Sequence, residues 1–359
     1  MKDIEESLVV DDAEKSDVQI SRRRFVQALL ALGVAGRTFW GSGDARAALA
    51  AGRDAFDPSN WPAMTYTRLG RTDFQASRLV MGCGASLMFR GREELLETAF
   101  ASGINVYDVG YRGYYRWAER NLAPFLKKRR DQIFLISKAV AEIEVEPDVQ
   151  VSTEQAQAAA RLWLARLDQS LRDLGVDHVD AYYLMASDNP SLVRSEEIRG
   201  AFQAARQAGK VRYLGVSTHR NADKVLKTAA ETGDYDLAMI AITPAGWYDW
   251  QSKAVLPGSP SLSQLQPTLA AAQATGMALV GMKAARYLSG LPILGWWKKL
   301  DAFNDYYPPD LLNARLSPFQ RSYAYVLAHG LDVVNADIQD VSQLRENVIA
   351  TATSAQYFA

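Results

Sequence analysis

The 359 residues are 48% hydrophobic and 23% charged, with a formal net charge of −1, enough apolar material for one large domain or two ordinary ones. The near-zero charge argues against nucleic acid as a partner, and no low-complexity or repeat signature is present. A single cysteine, Cys83, excludes an intrachain disulfide and Cys-ligated zinc or iron–sulfur sites, and His178, His219 and His329 are too scattered for a metal motif, so no metal is expected.

The chain opens on an address. Ser21-Arg22-Arg23-Arg24 runs into an apolar stretch over 25–35, too short to span a bilayer. Ala45-Arg46-Ala47 and Ala48-Leu49-Ala50 then each fit an A-x-A cleavage site. This order reads as a twin-arginine export signal over 1–47, with the export machinery as partner and a periplasmic or extracytoplasmic destination. The competing reading is a basic amphipathic helix that stays on the protein. Without residues 1–47 the chain carries 33 acidic and 33 basic side chains. No later apolar segment is long enough to cross a membrane, so no stable insertion is expected after cleavage. Residues 48–63 read as a linker.

From residue 64 short β-like runs alternate with helical patterns. A hairpin leads into a first strand at 78–82, followed by a helix at 92–102, a strand at 105–109, a helix at 116–129 and a strand at 133–139. Ser152 and Gln155 form a capping box for a helix whose Ala160, Leu164, Leu167, Leu171 and Leu174 share one face, and Gly175 is its stop. Strand 178–186, helix 194–208, strand 211–218, helix 221–232, strand 237–243, helix 262–275 and strand 278–283 follow. An irregular, aromatic-rich insertion over 285–315 has the length of a lid or binding loop. Helix 316–329, strand 331–337 and helix 341–353 close the chain, the last capped by Asp340 with Gln343. Eight strand–helix units predict an α/β fold, a closed (β/α)8 TIM barrel with an N-terminal β-hairpin over 64–359. No G-x-G-x-x-G follows the first strand, which removes the main support for an open dinucleotide-binding sheet.

Chemistry in such a barrel sits at the C-terminal strand ends. Asp108 ends strand two, Lys138 strand three, Met185-Ala186-Ser187 strand four, Ser217-Thr218-His219 strand five and Lys283 strand seven. The expected mouth also carries Tyr111, Tyr114, Tyr115, Trp117, Trp247, Tyr248, Trp250, Trp296 and Trp297. A carboxylate and an ammonium on neighbouring strand ends pair, most often as a structural bridge. A tyrosine beside them changes the reading, because an ammonium lowers a phenol's pKa from its ordinary value near 10. A phenol tuned in this way donates a proton to a carbonyl oxygen as hydride reaches the carbon, and the hydride must come from a cofactor.

The stretches MTYTRLGRTDFQASRLVMGCG, INVYDVG with Glu119, IFLISK, VDAYYL, GKVRYLGVSTHRN and QDVSQLRENV occur in that order, and together they resemble the aldo-keto reductase superfamily over nearly all of 64–353. Met282-Lys283 and the twin-arginine signal resemble one exported bacterial branch of it. The resemblance implies a (β/α)8 barrel that binds NADP(H), in preference to NAD(H), and reduces a small carbonyl substrate with an Asp-Tyr-Lys-His tetrad. It assigns Asp108 and Lys138 to that tetrad, and Glu119 to the family's Ser-Glu pair with Ala118 in the serine's place. The tyrosine register falls on Gly113. Tyr114, one residue late, is the expected acid, and Tyr111, two early, is the second choice. Met185 stands at the histidine position and can neither titrate nor donate a hydrogen bond. Ser187 or His219 would then have to orient the substrate.

For the cofactor, the resemblance places Ser217, Thr218 and Thr243 at the nicotinamide and Lys283 at a phosphate. The N-terminus of helix 341–353, with Arg345 and Asn347, falls on the adenosine side. Gln339 stands where the family carries an arginine for the 2′-phosphate, flanked by Asp337 and Asp340, which repel one. Cys83 reads as a small buried filler. Two functions are compatible with this pattern. One is an exported NAD(P)H-dependent oxidoreductase acting on an aldehyde, ketone or sugar-like carbonyl with an atypical tetrad. The other is an exported barrel with a decayed site that serves as a ligand-binding or scaffold protein.

Overall fold

Buried strands alternating with one-sided helices close the chain into a barrel. The computed structural model describes residues 57–142, 145–289 and 298–358. Residues 1–47, 48–56 of the expected linker, and Trp296 and Trp297 lie outside the described residues. The order begins with a hairpin, β1 (Tyr66–Arg68) and β2 (Gln75–Ser77), then β3 (Leu79–Gly82), α1 (Glu93–Ala101), β4 (Val106–Asp108), α2 (Arg112–Tyr115) and α3 (Ala118–Arg129). It continues with β5 (Phe134–Ala139), α4 (Thr153–Leu174), β6 (Val179–Leu184), α5 (Pro190–Val193), α6 (Glu196–Gln207), β7 (Val211–Thr218) and α7 (Ala222–Thr232). Next come β8 (Leu237–Thr243), β9 (Gly246–Asp249), β10 (Ala254–Val255), α8 (Leu262–Ala274) and β11 (Ala278–Met282). The chain ends with α9 (Pro309–Leu312), α10 (Pro318–Ala328), β12 (Val333–Asp337) and α11 (Val341–Ala352).

Strands β3 to β8, β11 and β12 pair in parallel, β12 with β3 and β7 with β8, so these eight close into a barrel. This is the expected (β/α)8 barrel. Its elements form for local reasons visible in the sequence. Ser152 Oγ accepts from the Gln155 amide at 3.2 Å while Gln155 Oε1 accepts from the Ser152 amide at 2.9 Å, which satisfies two free donors at the start of α4. Gly175 ends that helix at φ 67°, a left-handed conformation that glycine adopts without strain. At α11 the capping is shared out differently: Asp340 Oδ1 accepts from the Gln343 amide at 2.8 Å, but Gln343 Oε1 turns to the Gln339 amide at 2.8 Å.

Alternate strand positions face inward. One buried cluster fills the barrel, with Val80, Val106, Phe134, Ile136, Tyr183, Met239, Val280 and Val333 among its members. A second lies between barrel and helices, anchored by Trp163 and Leu167 of α4. Gly215 of β7 is required by this packing, since a Cβ there would overlap the Tyr183 ring. The hairpin closes the N-terminal end: Leu69 and Phe74 join the inner cluster, and the Phe74 and Phe134 rings lie 5.2 Å apart. The antiparallel extension β9–β10 on β8 was not among the expected elements. Its signal was present as the turn residues Pro244-Ala245-Gly246, between two β-prone runs.

Candidate active site

The C-terminal strand ends open into a cavity of about 560 Å³. Asp108 of β4 and Lys138 of β5 meet at its floor, each about 4% exposed. Lys138 Nζ donates to both Asp108 carboxylate oxygens at 2.6 Å and to the Val109 carbonyl at 2.9 Å. Asn335 of β12 donates its Nδ2 to Asp108 Oδ2, also at 2.6 Å. A buried ion pair is retained only when its remaining hydrogen-bonding capacity is met, and this one is held from three strands. Asn335 was absent from the residues the sequence singled out. It lies two positions after Val333, an inner-cluster residue, so strand alternation alone points it inward.

The three tyrosines separate. Tyr111 is 7% exposed and turned away from the cavity, with the Arg166 guanidinium 4.6 Å over its ring. Tyr114 lines the cavity and is 46% exposed. Tyr115 also lines it, packed edge-on to Tyr114 with ring centroids 4.8 Å apart. The Tyr115 ring occupies space left by Gly84 and Gly110, where a Cβ would collide with it, and Lys138 Nζ lies 5.7 Å from its centroid. Of the three phenols, only Tyr115 feels Asp108, and burial followed by that carboxylate pushes its pKa upward. Burial raises Tyr111 and Tyr114 as well. The expected lowering by Lys138 does not occur, because both oxygens of Asp108 take up the ammonium's charge at 2.6 Å. A phenol at this site is therefore a held proton, not a phenolate.

Met185 lines the cavity at 4% exposure. His219 also lines it, and burial reinforced by Lys283, Lys138 and Lys253 lowers its pKa to about 3. It is a neutral imidazole at any physiological pH, able to donate one N–H without titrating. Ser187 borders a separate cavity of about 140 Å³.

Of the expected cofactor contacts, Ser217, Lys283, Gln339 and Asn347 line the main cavity. Thr218 does not: its hydroxyl donates to the Arg220 carbonyl at 2.8 Å. Nor does Thr243, whose hydroxyl donates to the Gly246 carbonyl at 3.0 Å and pins the β8–β9 turn. Arg345 is exposed and outside the lining. Lys283 sits at φ 65° with its ammonium 4.2 Å from the Trp250 ring centre, and burial lowers its pKa to about 8. Lys253 approaches the same indole at 3.0 Å. Cys83 is fully buried, and burial pushes its thiol well above the ordinary range, as befits a filler.

Behind Lys138, Glu119 of α3 is 1% exposed. Ser137 Oγ donates to its Oε1 at 2.7 Å, and its Oε2 has no partner. Burial raises this carboxyl to about 7. Its contribution to stability is therefore complete below the unfolded value near 4.5 and is lost as pH rises through 7, an effect of about 3 kcal/mol at 1.36 kcal/mol per pKa unit. Glu119→Gln is expected to remove this loss, so that denaturant unfolding at pH 8 and pH 5 converges. An unchanged pH dependence would rule out Glu119 as its source.

Among the described residues no three His, Cys, Asp or Glu side chains gather as a metal site. A model of the Aldo/keto reductase family matches residues 84–257. The L-glyceraldehyde 3-phosphate reductase of Escherichia coli K12 is 24% identical over 250 residues, covering 66% of this chain and 68% of its own length. An aldo-keto reductase from Bacillus halodurans in its holo form superposes with a TM-score of 0.57 at 21% identity, over 82% of this chain and 95% of that one. A thermostable aldo-keto reductase in complex with the inhibitor epalrestat superposes at 0.55 with 22% identity, over 80% and 94%. The match to the Aldo/keto reductase family model takes in the strand ends that carry Asp108 and Lys138, whose buried ion pair lies at the mouth of the barrel.

Proposed function

We propose that the protein reduces the carbonyl of a small aldehyde, ketone or sugar-like substrate with a nicotinamide dinucleotide, using Tyr115 as the proton donor. The observation that carries this reading is the floor of the cavity, where the buried Asp108–Lys138 pair lies beside the Tyr115 ring, with Lys138 Nζ 5.7 Å from its centroid. The cavity suits the cofactor by its donor set. Lys283 is a buried cation facing it, and Ser217 and Asn347 line its walls. A bound dinucleotide would supply hydride to the carbonyl carbon. The chain's own residues hold Tyr115 protonated, orient Lys138 through Asp108 and the Val109 carbonyl, and offer His219 as a neutral donor on the cavity wall, while Met185 stands at the family's histidine position. Met185 makes the wall there apolar. The decayed-barrel alternative has less support, because a scaffold has no need of a buried ion pair served by three strands.

The preference for NADP(H) that the resemblance implies meets two obstacles. Arg345 is exposed and does not line the cavity, and the Gln343 amide at the start of α11 is already bonded to Asp340. We therefore expect NADH to bind at least as tightly as NADPH, and Lys283→Met to weaken both about tenfold. Titration of tryptophan quenching checks this, and failure of both nucleotides to bind would sink the enzyme reading. Export folded by the twin-arginine route to an extracytoplasmic space is part of the same proposal, resting on Arg22-Arg23 and the A-x-A triplets. Arg22→Lys/Arg23→Lys is expected to hold the full chain in the cytoplasm, as read by cell fractionation.

A further inference from the structure

The loops that leave β3 and β4 carry one composition twice, Phe89-Arg90-Gly91-Arg92 and Tyr111-Arg112-Gly113-Tyr114-Tyr115-Arg116-Trp117. The fold sets them side by side: the Trp117 amide donates to the Met88 carbonyl at 3.3 Å, and Asn121 Nδ2 donates to the Leu87 carbonyl at 2.7 Å. Phe89 is 64% exposed, and Tyr114 and Trp117 are each 46% exposed. Large apolar side chains clustered in this way at a surface mark an interaction site, whereas isolated ones need no explanation.

The cations there are also uncommitted. Arg90, Arg112 and Arg116 are exposed, and among the described residues none of them forms an ion pair. The neighbouring acids are largely neutralised elsewhere, Glu93 by Lys128 and Glu97 by Arg129, which leaves Glu94 as the open carboxylate of α1. Arg92 is turned inward, donating to the Ser86 and Gln339 carbonyls. The Arg116 guanidinium, without a carboxylate partner, lies 5.5 Å from the Phe89 centroid, and Arg120, which pairs with Asp173 at 2.7 Å, also lies 5.0 Å from that of Trp117. The backbone holds Arg116 at φ 50°, ψ −106°, a strained conformation for a residue with a Cβ, which persists only where its surroundings impose it.

We propose that this patch docks the barrel mouth onto an anionic lipid bilayer. Tryptophan and tyrosine favour the bilayer interface, where one side of the ring is apolar and the other wet. Arginine stems lie along the apolar surface while their heads reach lipid phosphates. A cluster of unpaired arginines is drawn to a negative leaflet. The patch is formed by two neighbouring loops. The formal charge of the whole chain, −1, gives no wider basic field for nucleic acid. Docking of this kind is peripheral and requires no spanning segment. Met88 and Tyr114 belong both to these loops and to the cavity lining, so docking sets the mouth beside the bilayer.

The test is hydrogen exchange on the full chain with vesicles of phosphatidylcholine alone and of 70:30 phosphatidylcholine and phosphatidylglycerol, with flotation for partitioning. The expected result is protection at 86–92 and 111–118 on the anionic vesicles only, weakening with salt. Arg90→Gln/Arg112→Gln, both outside the cavity, is expected to lower partitioning roughly 25-fold, about fivefold per arginine. Phe89→Ser is expected to weaken it independently of charge. Protection confined to residues 1–56, equal binding to both vesicle types, or partitioning unchanged in both variants would overturn the proposal. So would protection of these loops by single-stranded oligonucleotide or polyglutamate but not by vesicles.

Discussion

Tyr115→Phe is expected to lower the rate of NAD(P)H-dependent carbonyl reduction by 10²–10⁴-fold, the usual scale of a lost general acid, while Tyr114→Phe is expected to change it only a few-fold. The two rings are adjacent, so the contrast controls for disturbance of the loop. Tyr115 is packed against Gly84 and Gly110 with Lys138 over its ring, and its hydroxyl proton is held by burial and by Asp108. Tyr114 is nearly half exposed and feels neither member of the pair. Because the Tyr115 pKa is raised, the reduction rate should not fall through loss of this proton up to pH 9. Single-turnover rates with either nucleotide measure the effect. A large loss in Tyr114→Phe with little in Tyr115→Phe would return the role to Tyr114.

Lys138→Met should cost stability as well as activity. It leaves Asp108 buried with only the Asn335 amide to bond, and breaking a buried pair from one side costs about 3–5 kcal/mol. Denaturant unfolding of Lys138→Met against Lys138→Met/Asp108→Leu separates the two consequences. The double variant removes the stranded carboxylate, so most of the stability should return while reduction remains lost. If the double variant were as unstable as the single one, the loss would lie in packing and not in the unpaired charge. If it regained activity, the pair would be structural only, and the decayed-barrel reading would gain support.

Much of the fold could be read from local pattern. The capping box at Ser152, the glycine at 175 and the eight apolar runs are nearest-neighbour signals, and the strands and helices they mark agree with the structure to within one or two residues. The barrel followed because eight strand–helix units bury their strands best when the sheet closes on itself. The β9–β10 extension was less legible, since a four-residue strand has no period to detect.

The site divides along the same line. Asp108, Lys138, Met185, Ser217, Lys283, Gln339 and Asn347 were marked by sequence as polar or displaced residues at strand and helix ends, and all seven line the cavity. Thr218, Thr243 and Arg345 were marked in the same way, yet the first two donate their hydroxyls to nearby carbonyls and the third is exposed outside the cavity lining. Spacing along a strand determines which residues reach the mouth, because alternate side chains share a face. Which of them are free there depends on hydrogen-bond partners that the chain supplies from distant strands. Asn335 reaches Asp108 across 227 positions, and the choice among three tyrosines turns on one short helix and on space left by Gly84 and Gly110. The sequence by itself determined the barrel and the presence of a buried acid–base pair, since both arise from local periodicity. Only the tertiary structure decided which phenol meets that pair, because that contact is a property of packing among residues far apart in the chain.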